Sequence, residues 1–267
     1  MTTVVGTAMY GIKSDGDLQW YRHDGVQSGG AYWTAGEGGK KISGGWDIYS
    51  TVFSGRDSGV IYAVKPDGDL QWYRHDGWQD GGAYWTAGAG GNRISGGWGS
   101  YDTVFSIGRG VIYGIKPNGD LQWYRHDGWE DGTARWTAGA GGNRVSGGWN
   151  IYDTVFGSYL GVIYGIKPNG DLHWYRHDGW VDGTARWTAG AGGIKISGGW
   201  NIYDTVFAGY DGAIYGIKPN GDLQWYRHAG WRDGTATWEA GEGGKKISGG
   251  WDIYRTVFSG DTYLHLV

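Results

Sequence analysis

YGIKSDGDLQWYRHDG, residues 10–25, decides the fold, because it returns four more times. Its relatives begin at Tyr62, Tyr113, Tyr164 and Tyr215, at spacings of 52, 51, 51 and 51 residues. A second marker, SGGWxxYxTVF, alternates with it and places tryptophan at Trp46, Trp98, Trp149, Trp200 and Trp251. A period of this length is the signature of stacked or ring-like repeats. The copies are nearly identical, which reads as recent duplication or deliberate sequence engineering.

The third copy shows what one unit contains. Thr103-Val104-Phe105 is a short apolar run, and Val111–Lys116 is β-branched and aromatic, as a buried strand requires. Pro117-Asn118-Gly119-Asp120 turns the chain, since proline presets its own φ and Asn-Gly accepts left-handed dihedrals. Leu121–His126 then returns, and Thr133–Thr137 supplies a fourth strand. No window of helical length keeps a 3.6-residue apolar stripe free of glycine.

A sheet of four short strands cannot bury its own faces, but five such sheets stacked radially can. The expected fold is therefore all-β: a single domain over residues 1–267, a five-bladed β-propeller with four antiparallel strands per blade. A solenoid or β-prism-like arrangement is the weaker alternative, because solenoids usually need atypical polar caps. The chain enters at the second strand of a repeat and ends after another Thr256-Val257-Phe258. That offset predicts a ring closed by N- and C-terminal segments, with Thr256–Phe258 beside the strand around Tyr10. Tyr263–Val267 reads as an extra β-like segment, and Thr3-Val4-Val5 competes for the same innermost position.

Composition narrows the function. The 267 residues include 57 Gly, 19 Trp and 20 Tyr but no Cys, which excludes disulfides and thiolate metal sites. The formal net charge is -4, without a basic tract that would neutralise phosphates, so no nucleic acid partner is expected. No run of eighteen apolar residues occurs, so membrane insertion is not expected. Met1 leads into Thr2-Thr3-Val4-Val5 without the basic start and apolar core of a secretory signal, and location stays open. Oligomeric state is likewise open, with a monomer compatible.

Three repeated groups carry the candidate chemistry. The Gly-Gly-Trp tryptophans, each followed three residues later by Tyr, either wedge blades together or offer flat faces to a sugar ring. In Trp-Tyr-Arg-His, strand alternation sends Trp and Arg to one face and Tyr and His to the other. His23, His75, His126, His177 and His228 then serve hydrogen bonding within a blade or towards a ligand, and His75, His126, His177 and His228 enter the candidate set. Trp78, Trp129, Trp180 and Trp231 follow that strand, and the first copy has Val26 there. A core tryptophan would leave a void if replaced by valine, so these four are expected to be exposed ligand contacts.

Catalysis is not indicated. Most acids recur from copy to copy, whereas a glycosidase needs one carboxylate pair at one bond. The turn aspartates Asp17, Asp69, Asp120, Asp171 and Asp222 read as hairpin braces. No G-x-S-x-G, P-loop or dinucleotide fingerprint occurs, and no metal or cofactor is implied.

Gly148-Trp149-Asn150-Ile151-Tyr152-Asp153-Thr154-Val155-Phe156 and the hairpin IYGIKPNGDL at residues 163–172 resemble the tachylectin family of five-bladed lectin propellers. The resemblance covers essentially the whole chain. It implies binding of N-acetylglucosamine or N-acetylgalactosamine at one site per blade, without catalysis or a required metal. The matching positions are the Gly-Gly-Trp segments and the residue after each Trp, here Asp47, Gly99, Asn150, Asn201 and Asp252. Gly99 offers no side-chain acceptor, which together with Val26 points to three or four competent sites. The repeat is longer than the family's usual one, and its Trp-Tyr-Arg-His strand and loop Trp depart from it. Specificity shifted towards fucose or galactose, as in fucose-binding bacterial propellers, is consistent with that. The expected function is multivalent binding of glycans or glycoproteins bearing terminal monosaccharides. The rival is a protein-binding or purely structural, engineered symmetric scaffold.

Overall fold

The computed structural model describes residues 3–266 except 36–37, 88–89, 139–140, 191 and 241–242, with the backbone alone at 3–5 and 261–266. Five antiparallel sheets form, one per copy. In the second blade, Thr51–Ser54 is innermost, followed outward by Val60–Val64 and Leu70–His75. The five innermost strands neighbour one another in sequence, and the last, Tyr254–Leu266, returns beside Thr51–Ser54. This is the expected five-bladed propeller.

The fourth position in each blade differs in detail from the sequence expectation. In the third copy it is split into Trp136–Thr137 and Asn143–Ser146, both paired with Leu121–His126. Between the two pieces Ala138, Gly141 and Gly142 adopt φ of 64°, 96° and 66°. Left-handed residues throw the chain off the ladder and bring it back.

Closure follows the expected offset. Tyr254–Leu266 lies antiparallel to Thr3–Lys13, with Val257 opposite Gly11 and Phe258 opposite Tyr10. The C-terminal strand thus takes the innermost place of the first blade. Thr3-Val4-Val5 does not compete for it, because these residues pair with Leu266, His265 and Leu264 and prolong the same ladder. Val267 lies outside the described residues.

The Trp-Tyr-Arg-His strands join the blades. Trp20, Trp72, Trp123, Trp174 and Trp225 are fully buried and face the following blade. Each donates its Nε1–H to a backbone carbonyl there: Trp78 (3.0 Å), Trp129 (2.9 Å), Trp180 (2.9 Å), Trp231 (2.8 Å) and Val26 (3.0 Å). The receiving loop lies flat on the indole, and a Cβ on Gly81 would fall 2.3 Å from the Trp20 ring. Only glycine fits there.

On the opposite sheet face, histidine meets the preceding blade. His75 donates Nε2–H to the Gly82 carbonyl (2.7 Å), which fixes the tautomer, and its Nδ1 accepts from the Tyr10 hydroxyl (3.0 Å). The same pair recurs as Tyr62–His126, Tyr113–His177 and Tyr164–His228, and as Tyr215–His23 across the closing junction. Burial pushes the imidazole pKa of His23 and His75 down to about 4, and lowers those of His126, His177 and His228.

These imidazoles are neutral when folded, whereas in the unfolded chain they take up protons near pH 6.5. Between roughly pH 6.5 and 4 the unfolded state therefore binds more protons, and stability falls as pH falls. Thermal melts across that window should show a progressive drop in Tm. Tyr113→Phe, which leaves His177 Nδ1 buried without its donor, should cost about 1–3 kcal/mol and be read as a lower Tm at pH 7.

Candidate functional site

The two faces of the ring differ in what they carry. The Pro-Asn-Gly hairpins and the Gly-Gly-Trp segments lie at one face. The turns after the innermost strands and the loops after the Trp-Tyr-Arg-His strands lie at the other, as antiparallel connection dictates.

At the first face, cavities of about 410, 450, 500 and 630 Å³ open at the Trp46, Trp98, Trp149 and Trp200 junctions. The Trp46 cavity shows how they are built. One wall is Ser43, Gly44, Gly45, Ile48 and Tyr49, and the next blade contributes Tyr73, Trp85 and Ala87. Gly45 has φ 80°, which starts a single 3₁₀ turn over Trp46–Ile48 and exposes the glycine backbone. A side chain at Gly45 would meet no atom within 4 Å, so the dihedral rather than crowding selects glycine.

The aromatic wall is rigid. Trp46 packs on Tyr73 at 4.8 Å and on Trp85 at 5.8 Å, and the hydroxyls of Tyr49 and Tyr73 are hydrogen-bonded to each other. Burial, aided by the Tyr49 hydroxyl, raises the Tyr73 pKa far above the usual phenol range. Trp85 donates Nε1–H back across the junction to the Ile42 carbonyl (3.2 Å) and stacks on buried His75. The closing junction repeats the cluster with Trp251, Tyr21, Trp33 and Tyr254. Among the described residues none of the four cavities is lined by a carboxylate. Among the described residues no group of three or more His, Asp or Glu is placed to hold a metal.

The structure redistributes the candidate residues. Trp46, Trp98, Trp149, Trp200 and Trp251 do sit at the junctions, but each is only 3% exposed and forms the floor rather than an open platform. The partly exposed indoles on this face are Trp33, Trp85, Trp136, Trp187 and Trp238, on the outer edge of each blade. These are absent from the sequence-derived set. The signal was a fourth repeated tryptophan position just before a glycine-rich interruption.

The residue after each Gly-Gly-Trp lies on its own blade's hairpin turn. A Cβ on Gly16, Gly119, Gly170 or Gly221 would come within 2.2–2.4 Å of the side-chain oxygen of Asp47, Asn150, Asn201 or Asp252. At Gly99 the turn meets backbone instead, and the cavity beside Trp98 is formed all the same.

Two expectations need correction. His75, His126, His177 and His228 are fully buried with both ring nitrogens engaged inside the protein, so they present no nitrogen to a ligand. Trp78, Trp129 and Trp180 are half-buried, Trp231 is 7% exposed, and Val26 is 1% exposed. What every copy supplies at this position is the backbone carbonyl, which valine provides equally, and it lies on the face opposite the Gly-Gly-Trp cavities. The turn aspartates behave as expected: Asp69 pairs with Arg93 (2.6 Å), and that guanidinium holds its carboxyl below the usual range.

A ring of five blades with an aromatic cavity at each of four junctions, and the same cluster at the fifth, defines a repeat propeller of the lectin type. The chain belongs to the tachylectin family, whose sequence profile matches residues 4–145 and 138–267. No curated protein sequence matches it. Among solved structures, a symmetrical protein studied for its de novo evolutionary emergence shares 21% identity over 95% of this chain and 98% of its own, with a TM-score of 0.55. This likeness is one of fold. SapL1 lectin in complex with α-methyl fucoside is 17% identical over 92% of this chain and 82% of its own, TM-score 0.42. A variant of the Aleuria aurantia lectin with Fucα1-6GlcNAc is 16% identical over 86% and 72%, TM-score 0.42.

Because the carbonyl is what the loop position supplies, Trp129→Val should fold and lose about 1–3 kcal/mol, less than the ~3–5 kcal/mol of a fully buried indole. Trp123→Ala removes such an indole together with its cross-blade bond, and chemical denaturation should show the larger loss.

Proposed function

We propose that the protein is a multivalent, non-enzymatic binder of neutral terminal monosaccharides, N-acetylated amino sugars first, held at the blade junctions. What carries the reading is the recurrence of one aromatic-walled cavity, about 410–630 Å³ in volume and without a carboxylate among the described residues, at successive junctions. The half-exposed face of Trp85 or its equivalents packs on the C–H face of the sugar. Exposed glycine backbone and the serine before it meet hydroxyls or the acetamido group. Ile48, Ile151, Ile202 and Ile253, each about half exposed at the rim, offer contact to a methyl group, and Ser100 takes that place at the Trp98 junction.

A single sugar ring buries little surface, so each site is weak, in the high-micromolar to millimolar range. Several sites on one rigid ring raise avidity on a glycan-coated surface by ~10²–10⁴. The purely structural reading is favoured by junctions whose hydrogen bonds are complete without a ligand, and it gives no sugar response.

Intrinsic tryptophan fluorescence titrated with N-acetylglucosamine, N-acetylgalactosamine, fucose and galactose separates the two. A saturable change with at least one sugar is expected; silence from all four up to tens of millimolar would sink the proposal. Trp187→Ala should remove one site from the binding stoichiometry while the others persist. Ser100→Ile should tighten the Trp98 site several-fold, in line with about 0.8 kcal/mol per buried CH₂.

A further inference from the structure

The copies diverge most where the innermost strand turns back. The four turns read Gly55-Arg56-Asp57-Ser58-Gly59, Ile107-Gly108-Arg109-Gly110, Ser158-Tyr159-Leu160-Gly161 and Gly209-Tyr210-Asp211-Gly212. They gather round the mouth of the central channel, on the face opposite the junction cavities. Sequence that is close to fivefold in the strands is here specific to each blade.

A cavity of about 340 Å³ lies there, lined from four blades. This is at the lower end of the ~300–1,000 Å³ of small-molecule sites. Its aromatic walls are Tyr159, Tyr210, Trp180 and Trp231. Arg109 stands over Trp180 with its Cζ 5.9 Å from the ring centre, and Arg232 stands over Trp231 at 5.0 Å. Among the described residues neither guanidinium is paired to a carboxylate. A stacked guanidinium keeps its N–H edge free for bidentate contact with an anion.

The acidic residues of the lining are already engaged. Asp57 accepts the backbone N–H of Arg109, and Asp211 accepts from Arg227 and from Trp231 Nε1–H (3.1 Å). Deeper in, Arg56 is 7% exposed and crosses the channel to the carbonyls of Ala208 and Gly209 (both 3.3 Å). Its guanidinium lies 4.7 Å from the ring of Tyr159, itself a wall of the cavity. Arg56 Nε and Ser158 Oγ are buried donors without a partner among the described residues. Two cationic edges and four aromatic walls thus line one cavity.

We propose that this channel mouth is a second, single binding site, for a carboxylate-bearing ring of about monosaccharide size. The ring packs among Tyr159, Trp180, Tyr210 and Trp231, and the carboxylate is held by Arg109 and Arg232. The site is independent of the junction cavities, differing in face, charge and copy number.

Calorimetric titration with glucuronate and N-acetylneuraminate as sugar acids, phenylacetate as an aryl acid and methyl glucoside as the uncharged control tests it. One equivalent of at least one acid per chain is expected, weakened by added salt, and which class binds identifies the source of the ring. Arg109→Gln with Arg232→Gln, both at exposed side chains, should weaken that acid at least tenfold, about 1.4 kcal/mol. Binding of any neutral sugar at the junctions should stay unchanged in the same variant. No binding of any acid up to about 10 mM, a free energy below roughly 3 kcal/mol, would overturn the proposal. So would several equivalents per chain, or wild-type affinity in the double variant. None of these outcomes bears on the neutral-sugar reading.

Discussion

The indole N–H that each blade sends into its neighbour is the interaction on which the molecule rests. Trp20, Trp72, Trp123, Trp174 and Trp225 lie between sheets with almost no exposed surface, and each finds a carbonyl on the next blade. A buried indole donor left unmatched would cost more than its bond contributes, so blade spacing is fixed to hydrogen-bond precision. Tyr–His pairs set the same spacing from the other sheet face. Around a ring, such a constraint must hold at every junction or fail at one, and the closing junction meets it with Trp225–Val26 and Tyr215–His23.

Most of the fold could be read from the chain, because period, turn chemistry and strand alternation all point to one arrangement. The closing offset was legible too, since Thr256–Phe258 stands where the first repeat lacks its own innermost strand. The split outer strand was not, because Ala138 gives no sign in sequence of its left-handed backbone. The site was legible only in part. Alternation assigns a residue to a sheet face, and in a free sheet one face is wet. In a propeller both faces are covered by neighbours, so face says nothing of exposure. That is why the Gly-Gly-Trp indoles and the histidines looked available and are buried, while Trp85 and its equivalents, at the sheet edge, drew no assignment. Val26 misled for a related reason: substitution at a position shows what the side chain is not needed for, and there the backbone carries the contact.

The ring has a junction face whose turns repeat and, opposite it, a channel mouth whose turns do not. The junction face is constrained five times over, because a change that suits one Gly-Gly-Trp turn has to suit blade packing at each. The turns at the opposite channel mouth contact mainly one another and are freer to differ, which is where Arg56, Arg109, Tyr159 and Tyr210 are found.

The strand exchange between chain ends has a temporal meaning. During synthesis the first sheet emerges without its innermost strand, which leaves the ribosome only after the other four repeats. Until then the strand around Tyr10 offers an unpaired edge, the feature that recruits foreign strands. The repeats that build the ring are thus interchangeable in structure but not in order of completion: the earliest blade made is the last one finished. Four complete blades wait on one segment, Tyr254–Leu266, for the whole circle to become a closed object.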